Sequence, residues 1–134
     1  MKKNLSGVKR PANKGPKLAK SKSLVLGPKE LRFLKEFKQR LLSNYPNRIK
    51  QVTLFGSRAI GGAQEMSDYD VFIMVDRKEK QITDKIFDLA YDIYAASDLT
   101  VDISPVIMSE EYFQNRLSQE RRIAMDIETQ GIAL

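Results

Sequence analysis

Five consecutive apolar residues, Val71-Phe72-Ile73-Met74-Val75, follow directly on Asp68-Tyr69-Asp70. A strand that is apolar on both of its faces has to be covered on both, which requires packing layers on each side of a sheet. The run therefore predicts a central strand over about 69–75 in an α/β domain. It is the longest apolar run of the chain, far short of the ~20 residues that span a bilayer.

The flanking sequence supplies the covering layers. Gly27-Pro28 with Glu30 in the first turn is a helix start. Leu31, Leu34, Phe37, Leu41 and Leu42 then recur on one face as far as Asn44, and Tyr45-Pro46-Asn47 ends the helix. Val52 and Leu54 alternate with Gln51 and Thr53, predicting a strand over about 49–55. A glycine-bearing turn covers 56–67, with a short helix at about 57–61. Ile82, Ile86, Leu89 and Ile93 mark a helix over about 80–96. A third strand is expected over about 99–106, bounded by Pro105, and one helical segment over 109–130, with Glu110 and Glu111 near its start and Gly131 as its stop. The expected fold class is α/β: a small mixed sheet with helices packed on it. No internal repeat is visible.

Charge divides the chain in two. The net charge is +6, but residues 1–22 hold eight Lys or Arg and no acid, while the remainder holds fifteen basic and seventeen acidic residues. The expected organisation is a basic, disordered tail over 1–27 and one domain over 28–134. The tail interleaves no aromatics with its lysines, so it reads as a solvated extension before it reads as a single-strand binder. Nucleic acid is thus a secondary partner, and a membrane is not expected. There is no Cys, His or Trp. That removes thiolate nucleophiles, Cys/His zinc sites, disulfides and imidazole catalysis, and leaves carboxylates, hydroxyls, Lys, Arg or a hard metal. The expected location is the cytoplasm.

Chemistry concentrates in Leu54-Phe55-Gly56-Ser57-Arg58, then Gly61-Gly62, then Ser67-Asp68-Tyr69-Asp70-Val71. Gly56 lets the backbone approach a ligand closely. Ser57 offers a hydroxyl and a free amide at a helix start, where phosphate binds. Asp68 and Asp70 flank Tyr69 at the start of a strand, so both carboxylates share one face. Two carboxylates opposite a phosphate-binding turn are what Mg²⁺ holding a nucleoside triphosphate needs. Asp102 lies on the polar side of its own expected strand, between apolar Val101 and Ile103. If that strand pairs beside the one starting at Asp68, three acids converge, and two Mg²⁺ ions would relieve their repulsion. Asp68, Asp70 and Asp102 are thus the candidate catalytic and metal-binding residues. Gly56, Ser57 and Arg58 are the candidate nucleotide-binding residues, Arg58 serving either a phosphate or a nearby acid.

At these residues the chain resembles the minimal nucleotidyltransferases of the DNA polymerase beta-like superfamily: Gly56-Ser57, ten residues, Asp68-x-Asp70, and Asp102 in the place of the third carboxylate. The resemblance covers about 28–134 and leaves the basic tail outside. It implies a palm-like α/β fold, Mg²⁺ as cofactor, and transfer of a nucleoside monophosphate, usually AMP from ATP, to an acceptor hydroxyl. Stand-alone members of this size resemble antitoxins whose partner is a small helical HEPN-domain ribonuclease, silenced by adenylylation of a tyrosine. Ile60 is a departure, since many members carry a second Arg there.

Two features lie outside the motif. Asp84, Asp88 and Asp92 form an acidic ridge on one helix face, read as solvated and tempered by Lys80 and Lys85. Phe87, Tyr91 and Tyr94 form an aromatic stripe beside the Ile/Leu face, read first as core and second as a partner surface. The main alternative to an enzyme is a binding module that neutralises its partner by complex formation. A weaker one is an RNA-modifying enzyme guided by the tail.

Overall fold

The computed structural model describes residues 26–61 and 67–134. The expected basic tail, apart from Leu26 and Gly27, and most of the turn after Gly61 lie outside the described residues. Leu26 is buried, so the packed unit takes in the residue two before the first helix.

That helix, α1, runs Pro28–Asn44 and buries Leu34, Phe37 and Leu41. Strand β1 (Ile49–Phe55) leads into the short helix α2 (Ser57–Ile60), and β2 (Tyr69–Val75) follows. Helix α3 (Lys80–Ala96) connects β2 to β3 (Ile103–Ser109). Helices α4 (Glu110–Ser118) and α5 (Arg122–Gln130) precede the two-residue strand β4 (Ile132–Ala133). The sheet order is β3-β2-β1-β4. β2 pairs antiparallel with β1 and parallel with β3, which makes the sheet mixed.

The apolar run of β2 sits where its composition requires. Val71, Ile73 and Val75 face a core shared with α1 and α3, together with Val52 and Leu54 of β1. Phe72 and Met74 face a second core with Phe55, Met108, Phe113, Ala124 and Ile127. The Phe72 and Phe113 rings stand 4.8 Å apart, tying α4 to the sheet. Far from α2, Arg48 donates to Asp76 at 2.9 Å, to Glu79 at 3.0 Å and to the Arg77 carbonyl at 3.0 Å. This closes the junction between the start of β1 and the end of β2.

Three expectations are corrected. The segment expected as one helix over 109–130 is two, split at Gln119-Glu120-Arg121. Glu120 has φ +55°, and the Arg121 and Glu120 N–H groups return to the Arg116 and Leu117 carbonyls. This is a left-handed helix cap of the kind glycine usually makes, here built without one. The third strand lies later than 99–106. Asp98 and Leu99, both at positive φ, complete the cap of α3. The Val101 N–H then goes to Ser97 Oγ at 2.9 Å instead of to a neighbouring strand. Nor does Pro105 end the strand, because β3 is an edge strand, where a missing N–H is tolerated. Finally, the aromatic stripe is not core: Phe87 and Tyr91 are 50% and 69% exposed. Ile82, Ile86, Leu89, Ala90 and Ile93 already fill the one face a surface helix can bury.

Strand β4 had no counterpart in the expected elements. Its approach depends on Gly131, where a Cβ would collide with Thr53 Cγ2 and the Ile127 carbonyl. Gly131 has an ordinary φ of −71°, so closeness and not conformation is what demands glycine here.

Burial of the central strand sets the stability scale. Ile73 is fully buried and Ile60 is 55% exposed. Ile73→Val is expected to cost about 0.5–1.5 kcal/mol, and Ile60→Val less than about 0.5 kcal/mol. Urea midpoints of the two variants check this.

Candidate active site at the aligned strand starts

Parallel pairing puts the starts of β2 and β3 at one end of the sheet. Antiparallel pairing brings the end of β1 to the same place, with Phe55 opposite Asp70 and Ser104 beside Asp70. The Tyr69 N–H donates to the Asp102 carbonyl at 2.8 Å, at the first pair of the β2/β3 ladder. Asp102 therefore lies next to Asp68.

Asp68, Asp70 and Asp102 all project from the sheet face that carries Phe72 and Met74, while Tyr69, Val101 and Ile103 are buried on the other. Asp70 is half-buried, and Asp68 and Asp102 are exposed. The alternation expected around Asp102 holds, although the residue precedes β3 instead of lying inside it. Ser104, half-buried, shares this face with Asp70. Among the described residues it is a polar neighbour of Asp70 that the sequence alone did not single out; its signal is the two-residue spacing from Asp102.

Gly56 has φ +78°, and a Cβ there would strike Asp70 Oδ2. Conformation and contact both require glycine, and the backbone of the turn rests against the half-buried carboxylate. Ser57 opens α2 and is exposed. Among the described residues its N–H has no hydrogen-bond partner. Arg58 makes contacts within the turn. Its Nε and Nη2 donate to the Ser67 carbonyl at 3.2 and 3.0 Å, and its guanidinium lies over the Tyr69 ring, 4.3 Å from the centroid. Arg58 thus ties α2 to the residue just before Asp68.

Comparison with known proteins decides the family: residues 34–128 match the nucleotidyltransferase domain. The chain belongs to that family. It is similar to two Methanocaldococcus jannaschii proteins, each named "Putative protein adenylyltransferase". The first is 35% identical over 91 residues, covering 66% of this chain and 83% of the relative. The second is 38% identical over 84 residues, covering 58% and 77%. Among solved structures, the chain is similar to a toxin–antitoxin crystal structure with AMP-PNP: 22% identity, 73% of this chain, 69% of that one, TM-score 0.47.

The electrostatics of this nucleotidyltransferase domain centre on Asp68. Burial, and then the charge of Asp68, hold the Asp70 carboxyl above its ordinary range. Asp102 is likewise raised, by desolvation first, then by the charge of Asp68 and a hydrogen bond with it. Among the described residues no group of three such side chains is drawn tightly enough to cage an ion as it stands. The donor chemistry nevertheless fits a hard divalent cation: all-oxygen ligands on one face, with mutual repulsion that a cation offsets.

A raised carboxyl favours the fold while it is protonated. That advantage is complete below the unfolded value and is lost as pH rises through the folded one. Without divalent metal, Asp70→Asn should therefore melt a few degrees above wild type at pH 7, and Asp102→Asn, at an exposed position, by less. The difference should shrink steadily as pH falls toward the ordinary carboxylate value of 3.8. Thermal melts in EDTA across pH 3.5–8 read this directly.

Proposed function

We propose that this nucleotidyltransferase domain moves AMP from ATP to a hydroxyl of a partner protein. The observation that carries this reading is the gathering of Asp68, Asp70 and Asp102 at one end of the sheet, against the Gly56-Ser57 turn. Asp68 and Asp70, with Asp102 as a third donor, would hold divalent metal, Mg²⁺ in one or two sites. That metal would neutralise the triphosphate and favour ionisation of the acceptor hydroxyl.

The chain's own groups have distinct tasks. Gly56, with no side chain, lets the turn that carries Ser57 close against the Asp70 carboxylate. The Ser57 amide and hydroxyl are donors for a phosphate oxygen. Arg58 holds the end of the following turn and so fixes the approach to Asp68. The acceptor oxygen forms a bond to the α-phosphorus, and the bond from that phosphorus to the bridging oxygen breaks. Pyrophosphate leaves with the bond's electron pair. The acceptor's proton goes to Asp102, the carboxylate beside Asp68 at the start of β3, as general base. A carboxylate has two oxygens, so one can serve the metal while the other takes the proton.

Two lines of support extend the reading to the acceptor. Both archaeal relatives carry a protein adenylyltransferase name, and the motif resembles that of antitoxins acting on HEPN-domain toxins. We take the acceptor to be a tyrosine of such a toxin, in the cytoplasm, with this chain as its antitoxin. Neutralisation by complex formation alone is the second reading, and the exposed aromatics of α3 favour it.

Label transfer separates the two. With ATP labelled at the α-phosphate and Mg²⁺ in host lysate, wild type should label one protein band that γ-labelled ATP does not. Asp68→Asn/Asp70→Asn should lower that labelling at least about 100-fold, a loss of more than ~2.7 kcal/mol of transition-state stabilisation. A double variant that labels as wild type does would overturn the catalytic reading. One that labels nothing yet still neutralises the toxin would establish the binding reading.

A further inference from the structure

Helix α3 leaves an apolar line uncovered. Phe87 and Tyr91 are four residues apart on one face, 50% and 69% exposed. The Tyr91 and Tyr94 rings lie 6.5 Å apart. The Leu99 N–H donates to the Tyr94 carbonyl at 2.8 Å, which seats Leu99 at the end of this line, 61% exposed. Leu99 is also at φ +64°, directly after Asp98 at φ +60°. Branched apolar residues rarely adopt that conformation. The backbone of Leu99 completes the cap of α3, but its side chain, turned toward water, contributes nothing to the core.

Acids border the line. Asp88, Asp92 and Asp98 are exposed, and among the described residues none of them is in an ion pair. Asp84 alone is matched, by Lys80 at 2.7 Å. The apolar line therefore has an anionic rim.

We propose that the outward face of α3, from Phe87 through Tyr91 to Leu99, docks a segment of a partner protein that presents apolar side chains edged by Lys and Arg. Charge selects this occupant. A second copy of the chain would set the same acids against each other across a two-fold axis. Residues 1–22 of the chain have the complementary charge but no aromatic and few large apolar residues, too little to cover two rings and a leucine. The Leu99 end of the docking face also runs toward the site: two residues, Thr100 and Val101, separate Leu99 from Asp102, so a partner docked there lies at the end of the sheet where the acids emerge from the opposite face. Docking stands on these observations alone. That the docked protein is also the acceptor rests on the proposed function.

The test uses the full chain with a photoreactive benzoylphenylalanine at position 91, or at 125 on α5 as control. The chain is irradiated in host lysate with Mg²⁺ and α-labelled ATP. The expected result is an adduct from position 91 and none from 125. It should join position 91 to a segment of another protein in which Lys or Arg flank apolar residues. Asp88→Lys/Asp92→Lys should reduce this adduct at least tenfold. Leu99→Asn should do the same, and because Asn accepts a positive φ, its melting temperature should not fall below that of wild type. An adduct with a second copy, an adduct with residues 1–22, an adduct indifferent to charge reversal, or no adduct would each overturn the proposal. The label reports separately: an adduct of the expected kind whose partner carries no label sustains docking and contradicts the partner's role as acceptor.

Discussion

The hydrogen bond at the first pair of a parallel ladder, from the Tyr69 N–H to the Asp102 carbonyl at 2.8 Å, sets the relation among the acids. It opens the parallel register of β2 and β3, so that residues entering the two strands stand side by side. Because side chains alternate along each strand, the same register that buries Tyr69, Val101 and Ile103 turns Asp68, Asp70 and Asp102 to the opposite face. A slip of one residue would send the acids into the core of α1 and α3. The cost of that burial protects the register, and with it the site.

The site is built against its own electrostatics. Asp68 raises both of its neighbours, and Gly56 presses the turn onto the one carboxylate that is already half-buried. Uncompensated, such an arrangement weakens the fold at neutral pH. Positive charge arriving with the proposed ligand would offset it. Stabilisation comes from elsewhere: the two cores on either side of β2, and Arg48 with Asp76 and Glu79 at the far end of the sheet, where opposite charges are paired. Paired charges at one end and crowded acids at the other give one sheet a structural end and a chemical end.

Much of this was legible in the residues. Helix α1, strands β1 and β2, and helix α3 lie where hydrophobic period and start signals put them, because each buries a face whose spacing has a single solution. The three acids and the Gly56-Ser57 turn were readable as a constellation for the same reason: strand alternation fixes which side chains share a face. The misreadings have a common physical origin. Leu99 and Glu120 take left-handed conformations that the sequence would ordinarily signal with glycine. The cap of α3 therefore passed for strand, and the break between α4 and α5 passed for continuous helix. Pro105 misled in the other direction, since only pairing reveals that β3 is an edge. Arg58 could not be assigned from sequence either: whether a guanidinium meets a phosphate, an acid or a carbonyl depends on what the fold brings within its reach. In the structure it meets the Ser67 carbonyl and the Tyr69 ring.

The central claim is that the acids at the aligned strand starts form one metal-dependent nucleotide site. Mn²⁺ titration followed by electron paramagnetic resonance, with and without a non-hydrolysable ATP analogue, tests it most directly. Wild type should sequester Mn²⁺ together with the analogue, and Asp68→Asn, melting no lower than wild type, should lose at least about tenfold in affinity, ~1.4 kcal/mol. Equal Mn²⁺ binding by wild type and Asp68→Asn, or none by either, would contradict the account.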